Sequence, residues 1–451
     1  MDFRRLLPRL IAIFTVAILL GACTTTEQNG VEQTSDVVDH DAPSSDDAST
    51  TDPPPDCETW ESEPAGILLT WQRDPTSTMT IDWHVDHDDG DVGDSLCVRP
   101  SGADDWDAEL EAQAHDVPFL DRTLYRIELT DLDADTEYVF QTGHFEREYR
   151  FRTMPEDIDD EPLVFVTGGD TMHAPNMFEK TNRVAIDYDP AFIAWGGDFA
   201  YADGGDDPLH DERWEWWFET VADTLVDDDG RVVPILVSIG NHEVVDGYID
   251  EHDDYEPTDE FRADIAPYFY SFFAFPGQPG YGVLDFADYL TLISLDTDHT
   301  NPVEGEQTDW LEDVLTQRQQ AGVNHVIPFY HVAAFPSYRD FDGDIQTRIR
   351  DHWVPLFEDH GVRTVFENHD HTYKRTHPVR DGEIDEDDGI VYIGDGAWGV
   401  VTRSGESEDE WYIDRFERER HIIVVTLQGD DEHVLIVSEE GEVLDEYGDD
   451  L

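Results

Sequence analysis

The chain has 451 residues, of which 27 are Lys or Arg and 106 are Asp or Glu, a formal net charge of -79 at pH 7. So acidic a surface repels nucleic acid and anionic lipid and excludes both as direct partners, while 39% hydrophobic and 12% aromatic residues are too apolar for an acidic disordered chain. The length suits two or three domains with a large core, and the charge predicts a folded protein adapted to molar salt, as in extreme halophiles, where counter-ions screen the self-repulsion.

Residues 1–23 read as a targeting segment outside the fold. Arg4, Arg5 and Arg9 precede an apolar stretch at 10–20 that is too short to span a bilayer comfortably. It ends in Leu20-Gly21-Ala22-Cys23, which looks like a lipoprotein signal in which Cys23 becomes the lipidated N-terminus. The Arg4-Arg5 pair loosely resembles a twin-arginine signal. The expectation is export to the cell surface, with the membrane reached only through that lipid. Residues 24–55, rich in Thr, Ser, Asp and Pro, predict a disordered acidic tether. Cys57 and Cys97 are an even pair in an exported protein and predict one disulfide.

Residues 56–155 carry short alternating runs at 66–71, 79–85, 95–99, 124–129, 137–142 and 149–153, separated by Asp, Gly and Pro turns. That pattern predicts an all-β sandwich. The stretch from Ile127 through Tyr138 to Pro155 resembles the end of a fibronectin type III module. It holds no catalytic constellation, so a packing and spacing domain is expected, with a hinge at 154–161. From Pro162 to the end, apolar runs alternate with helix-length amphipathic stretches such as 211–226 and 307–320. This is the signature of a layered α/β domain, in which the aromatics Trp214, Trp217 and Phe218 belong to the core.

The residues just after each apolar run in that domain carry the chemistry. The run 232–239 is β-branched and long enough to be buried on both faces; it stops at Gly240 and delivers Asn241, His242 and Glu243. The run 163–167 leads through Gly168-Gly169 to Asp170, and 191–195 through Gly196-Gly197 to Asp198, Phe199, Ala200 and Tyr201. The run 326–330 ends at His331, and 362–366 leads to Asn368-His369-Asp370-His371. Strand ends of an open α/β sheet converge on one site, so five carboxylate, amide or imidazole groups in this position point to a metal centre.

As a set these five blocks resemble the ligand pattern of the purple acid phosphatases, within the calcineurin-like metallophosphoesterases. The resemblance covers about residues 60–445, including 373–378 and 392–398. It implies a four-layer α/β/β/α sandwich preceded by the fibronectin-like sandwich. It also implies two metal ions bridged by Asp198, with Asp170, Tyr201 and His371 on the first and Asn241, His331 and His369 on the second. The family's metals would be Fe(III) plus a divalent Fe, Zn or Mn. His242 matches the imidazole that binds phosphate or protonates the leaving oxygen, and Glu243 is expected to support the ligands from behind. The implied reaction is hydrolysis of a small phosphomonoester, with metal-bound hydroxide attacking phosphorus.

Three departures qualify this. Asn368 stands where the family usually has Gly, which is expected to alter the loop, and Pro328 where it usually has Val. Where members often carry further His residues past the ligand at 331, this chain has Ser337-Tyr338-Arg339-Asp340-Phe341-Asp342, and Arg339 is the expected phosphate-binding replacement. Other readings stay open: a phosphodiesterase or nucleotidase on the same scaffold, or a non-catalytic surface binding lipoprotein. His173, His210, His299, His325, His352, His360 and His377 fall outside the motifs and read as structural or surface residues.

Overall fold

Three short strands with two apolar faces set the layering. Side chains alternate across a strand, and in Leu163–Gly168, Ile193–Trp195 and Ile235–Val237 the residues Phe165, Ala194 and Leu236 enter one core while Val166, Trp195 and Val237 enter another. The structure, a computed structural model, describes residue 57 and residues 64–451 apart from 87–92, 118–119, 144, 204–207, 228, 253–254, 395, 405–409 and 450. The signal segment with Cys23 and the tether at 24–55 lie outside the described residues.

The three strands pair in parallel and continue antiparallel through His421–Gln428, Asp431–Ser438 and Val443–Gly448 into a six-stranded sheet. A seven-stranded sheet runs Gly282–Phe286, Leu290–Leu295, His325–Val332, Thr364–Asn368, Val391–Gly394, Tyr373–Thr376 and Ile413–Glu417; the second to fifth of these are parallel. Phe165, Phe192, Leu292, Phe329, Phe366 and Ile393 fill the space between the two sheets. Helices Pro175–Ile186 and Pro208–Thr224 cover the outer face of the first sheet, where Phe178, Trp214, Trp217 and Phe218 pack around Trp195. Helices Glu306–Ala321, Asp344–His352 and Val354–His360 cover the second through Leu311, Ile349, Trp353 and Phe357. This is the expected α/β/β/α sandwich, and the helical aromatics are core.

The N-terminal side is all-β: Gly66–Thr70, Met79–Asp86, Arg122–Leu129 and Gln113–Asp116 form one sheet, and Ala108–Glu111, Ser95–Pro100, Glu137–Thr142 and Tyr149–Arg152 the other. A disulfide joins Cys57 to Cys97 with Cα atoms 6.5 Å apart. The expected hinge needs correction. Met154 and Ile158 are buried in the core between the six- and seven-stranded sheets. Trp71 packs edge-on against Phe192 and Phe286, with ring centroids 6.0 and 5.7 Å apart. Arg126, paired with buried Asp82 at 2.7 Å, also donates to the Phe272 carbonyl at 3.1 Å. A segment that shares one core with both neighbours is a packed connection, because swinging it would expose those aromatics.

Candidate metal centre

Backbone strain marks the site first. Asp170 (φ 58°), Asp198 (57°), Tyr201 (55°), His369 (81°) and His371 (58°) all sit in the left-handed region, which side-chain-bearing residues seldom occupy and which tends to collect at functional sites. Gly197 before Asp198 and Gly240 before Asn241 have no room for a side chain. A Cβ on Gly197 would lie 2.6 Å from the Gly240 nitrogen, and one on Gly240 would lie 2.4 Å from an Asp198 oxygen. Two strand-end turns are thereby pressed together, bringing Asp198 and Asn241 side by side.

The predicted ligands fall into two convergent groups. In the first, the Tyr201 hydroxyl donates to Asp170 Oδ1 at 2.9 Å and lies 3.1 Å from His371 Nε2, which is itself 2.9 Å from the same carboxylate oxygen. In the second, His331 Nε2 lies 3.1 Å from Asp198 Oδ2, 3.2 Å from Asn241 Oδ1 and 2.9 Å from His369 Nδ1. Ligand atoms of Asp198, His331 and His369 all lie within 4.8 Å of one another. The groups are tied together by the His369 N–H donating to Asp170 Oδ2 at 2.9 Å and the Thr171 N–H donating to the Asp198 carbonyl at 2.8 Å.

The chemistry of this donor set fits a bound cation. His331 donates Nδ1–H to the Gly196 carbonyl at 2.7 Å, which leaves Nε2 facing only acceptors. Burial opposes charge on both His331 and Asp198, yet each holds the other ionised. The imidazole is raised to about 9 and the carboxyl lies well below its usual range. A proton on Nε2 thus occupies the place a metal ion would take. Burial and the neighbouring charge of His331 hold His369 well below its ordinary value, so its ring is neutral and has a lone pair to offer a cation. Burial, Asp170 and Asp198 push the Tyr201 phenol well above its usual range, so a phenolate there needs a cation to offset them.

His242 is placed beside the second group. Its backbone N–H donates to Asp198 Oδ1 at 2.8 Å, its ring Nδ1 is hydrogen-bonded to Asp203, and its ring Nε2 is 3.9 Å from Asp198 Oδ2. Burial lowers its pKa, but Asp198 and Asp203 outweigh it and raise the imidazole overall. Arg339 also reaches the site, a terminal nitrogen lying 3.4 Å from His369 Nδ1. Glu243, 1% exposed, accepts from the backbone N–H groups of Asp198, Gly240 and Phe199 at 2.8, 2.9 and 2.8 Å, and so fixes both turns from behind.

Asn368 does not itself occupy the left-handed turn. It is the last residue of the extended strand Thr364–Asn368, and the left-handed turn begins at His369. Its side chain donates to the Tyr330 carbonyl at 2.9 Å and fills the space over Gly169 and Gly196, where a Cβ would lie 2.5 and 1.8 Å from it. His331, read as following its strand, lies inside His325–Val332, at a register shift between Phe329 and Val332 that redirects the side chain.

Four site neighbours had no motif to announce them. The Tyr248 hydroxyl is 3.3 Å from His369 Nε2. The ring of His173 lies 4.5 Å from Tyr201 and 5.3 Å from His371, and His299 is 5.5 Å from His331; both had read as structural. Asp203 orients His242. Position offers a weak signal for His173 and Asp203, each only a few residues past a ligand turn.

Comparison with known proteins agrees with this geometry. Residues 167–373 match the family model for calcineurin-like phosphoesterases. An uncharacterised protein of Mycobacterium tuberculosis is 25% identical over 354 residues, 70% of this chain and 62% of that protein. Purple acid phosphatase 18 of Arabidopsis thaliana is 25% identical over 296 residues, 63% of this chain and 61% of that protein. The chain therefore spans about three-fifths of the length of these relatives. In structure it superimposes on purple acid phosphatase PPD1 from yellow lupin seeds with a TM-score of 0.69 at 15% identity, covering 85% of this chain and 73% of that one. For a structure of PhoD the TM-score is 0.62 at 11% identity, covering 86% and 93%. Residues 167–373 are thus similar to the calcineurin-like phosphoesterases, and the chain shares its fold with the purple acid phosphatase and PhoD structures.

Proposed function

We propose that this chain is an exported phosphatase, lipid-anchored through Cys23, that hydrolyses small phosphomonoesters at a dinuclear metal centre in molar salt. The observation that carries the reading is the pair of convergent donor groups at the strand ends, joined through Asp198 and its neighbours. Asp170, Tyr201 and His371 would hold one ion, Asn241, His331 and His369 the other, and Asp198 both. Hard anionic oxygens suit Fe(III) at the first site, and neutral Asn and His suit divalent Fe, Zn or Mn at the second. A bound pair would supply Lewis acidity towards water and the phosphoryl oxygens.

The chain's own residues do the rest. Asp203 holds His242 through Nδ1, which turns Nε2–H towards the ligand group. From there the imidazolium donates to a phosphate oxygen or protonates the leaving oxygen, work typically worth about 10²–10⁴-fold. The Arg339 fork binds the phosphate beside His369. The family match, the fold likeness and the similarity to plant purple acid phosphatases support the reading.

The test is hydrolysis by the full chain in molar salt of an aryl phosphate monoester against its diester, before and after chelation. Monoester preference that disappears with chelator and in Asp198→Ala is expected. Diester preference would move the function to a phosphodiesterase. No turnover of either ester, with two metals bound per chain, would refute the enzyme reading and favour a binding protein.

A further inference from the structure

Basic residues are scarce in this chain, 27 against 106 acidic ones, and most described arginines are spent on carboxylates. Arg348, Arg375 and Arg318 lie 2.6, 2.7 and 2.6 Å from Asp298, Asp445 and Asp285. Two arginines lie at the metal centre. The first is Arg339, whose Nε lies 3.4 Å from Asp370 Oδ1 and whose terminal nitrogen reaches His369. The fully buried Asp370 carboxylate, carried between the ligands His369 and His371, accepts from the consecutive N–H groups of Ser337, Tyr338 and Arg339 at 2.8, 2.7 and 3.2 Å.

The second is Arg403. Its backbone N–H donates to the His371 carbonyl at 3.1 Å, which anchors it to the ligand loop from the other side. Its guanidinium lies 5.1 Å from the centroid of the Tyr338 ring, and that ring is 41% exposed. Among the described residues no carboxylate is paired with Arg403. Arg403 is thus tied to the ligand loop at His371 and Arg339 at His369, and Tyr338, next to Arg339 in the chain, carries the Arg403 guanidinium on its ring.

We propose, resting on the phosphate-ester reading above, that Arg403, held against the face of Tyr338, forms an anion subsite for the leaving-group side of the substrate. The centre then takes esters that carry a second negative group, a carboxylate or another phosphate, in preference to phosphates of neutral alcohols. A guanidinium presents a planar fork matched to either oxyanion and is weakly hydrated. Stacking on Tyr338 holds it in place, so little freedom is lost when an anion docks. In molar salt the Debye length falls to about 3 Å, which screens the distant acidic surface but leaves a direct contact intact. A preference measured there reports contact.

The test uses the full-length protein in molar potassium chloride. Turnover of phenyl phosphate is compared with that of 4-carboxyphenyl phosphate, and calorimetry compares binding of phenylphosphonate with that of 4-carboxyphenylphosphonate. Preference for the carboxylated member of each pair by about tenfold is expected, the scale of one charge-assisted hydrogen bond. Arg403→Gln should bring both ratios close to one, and Arg403→Lys should keep part of them. If Arg403→Gln does not fold, Tyr338→Leu is read in the same assays and should also lower the ratios. Equal handling by the natural chain, or an unchanged ratio in Arg403→Gln, overturns the subsite. Selective phosphonate binding without turnover of either ester would instead overturn the phosphatase reading and leave the subsite standing.

Discussion

Replacing Glu243 with Gln keeps the shape of the side chain, removes a negative charge that burial and Asp198 disfavour, and exchanges one acceptor oxygen for an NH2 donor. In the natural chain, Glu243 Oε2 takes the N–H groups of Asp198 and Gly240, and Oε1 takes that of Phe199, in a position shut off from water. An amide has one oxygen. If it keeps Asp198 and Gly240, its NH2 faces the Phe199 N–H, donor against donor; if it flips, two N–H groups are orphaned instead. A buried unsatisfied donor costs about 1–3 kcal/mol, so Glu243→Gln should lose at least that in metal-free unfolding by denaturant. The same bonds hold the turns that carry Asp198 and Asn241. Residues that orient metal ligands typically contribute 10–100-fold in affinity, so the variant should also lose metal at correspondingly lower chelator concentration. A variant with the natural unfolding midpoint and natural metal retention would refute the claim that Glu243 organises both turns.

Gly196→Ala tests the close packing under Asn368. The added methyl would sit 1.8 Å from Asn368 Nδ2 and 3.2 Å from the Tyr330 carbonyl, and overpacking of this kind costs about 1–3 kcal/mol. The double variant Gly196→Ala, Asn368→Gly should be more stable than the single alanine variant in thermal unfolding; if it is not, the contact is not what limits the site. His84 gives a pH test far from any ligand. Its ring is fully buried, 4.3 Å from the ring of Phe218, with both nitrogens unbonded, and burial with Arg122 and Arg126 nearby lowers it to about 3. A depressed histidine means the folded chain binds fewer protons than the unfolded one between about 6.5 and 3. Stability should therefore fall as pH drops through that window, by about 1.4 kcal/mol per unit. His84→Leu should remove this component, so its melting temperature relative to the natural chain should rise between pH 7 and pH 5. A pH-independent difference would show that His84 is not buried as a neutral base.

The ligand blocks could be read in one dimension because each depends on a local event, an apolar run that stops at the point where a polar residue must face the site. What escaped is what depends on distant packing. Tyr248, His173 and His299 meet the ligands only through contacts between separate loops. Asn368 looked like a turn residue because its structural job, filling the gap above Gly169 and Gly196, lies on two other strand ends. In the sandwich, Ala108–Glu111 and Gln113–Asp116 were missed because their half-exposed, charged pattern matches the loops of so acidic a chain.

Acidic composition also disguises the turns themselves. Among the described residues, nine of the thirteen side-chain-bearing residues with positive φ are Asp, from Asp131 and Asp135 to Asp298 and Asp381. In most chains Gly or Asn would stand at such places and announce a turn; here Asp fills them and looks like ordinary surface. Asp170 and Asp198 share both the residue type and the backbone conformation of those turn residues, so neither identifies a ligand. The difference lies one residue earlier. Gly169 and Gly197 are pressed to 2.5 and 2.6 Å of neighbouring atoms, where no Cβ fits, whereas the surface turns need no such approach. A buried run, a glycine with no room and then an aspartate is therefore the discriminating pattern in this chain, because only a site that packs several strand ends together requires all three.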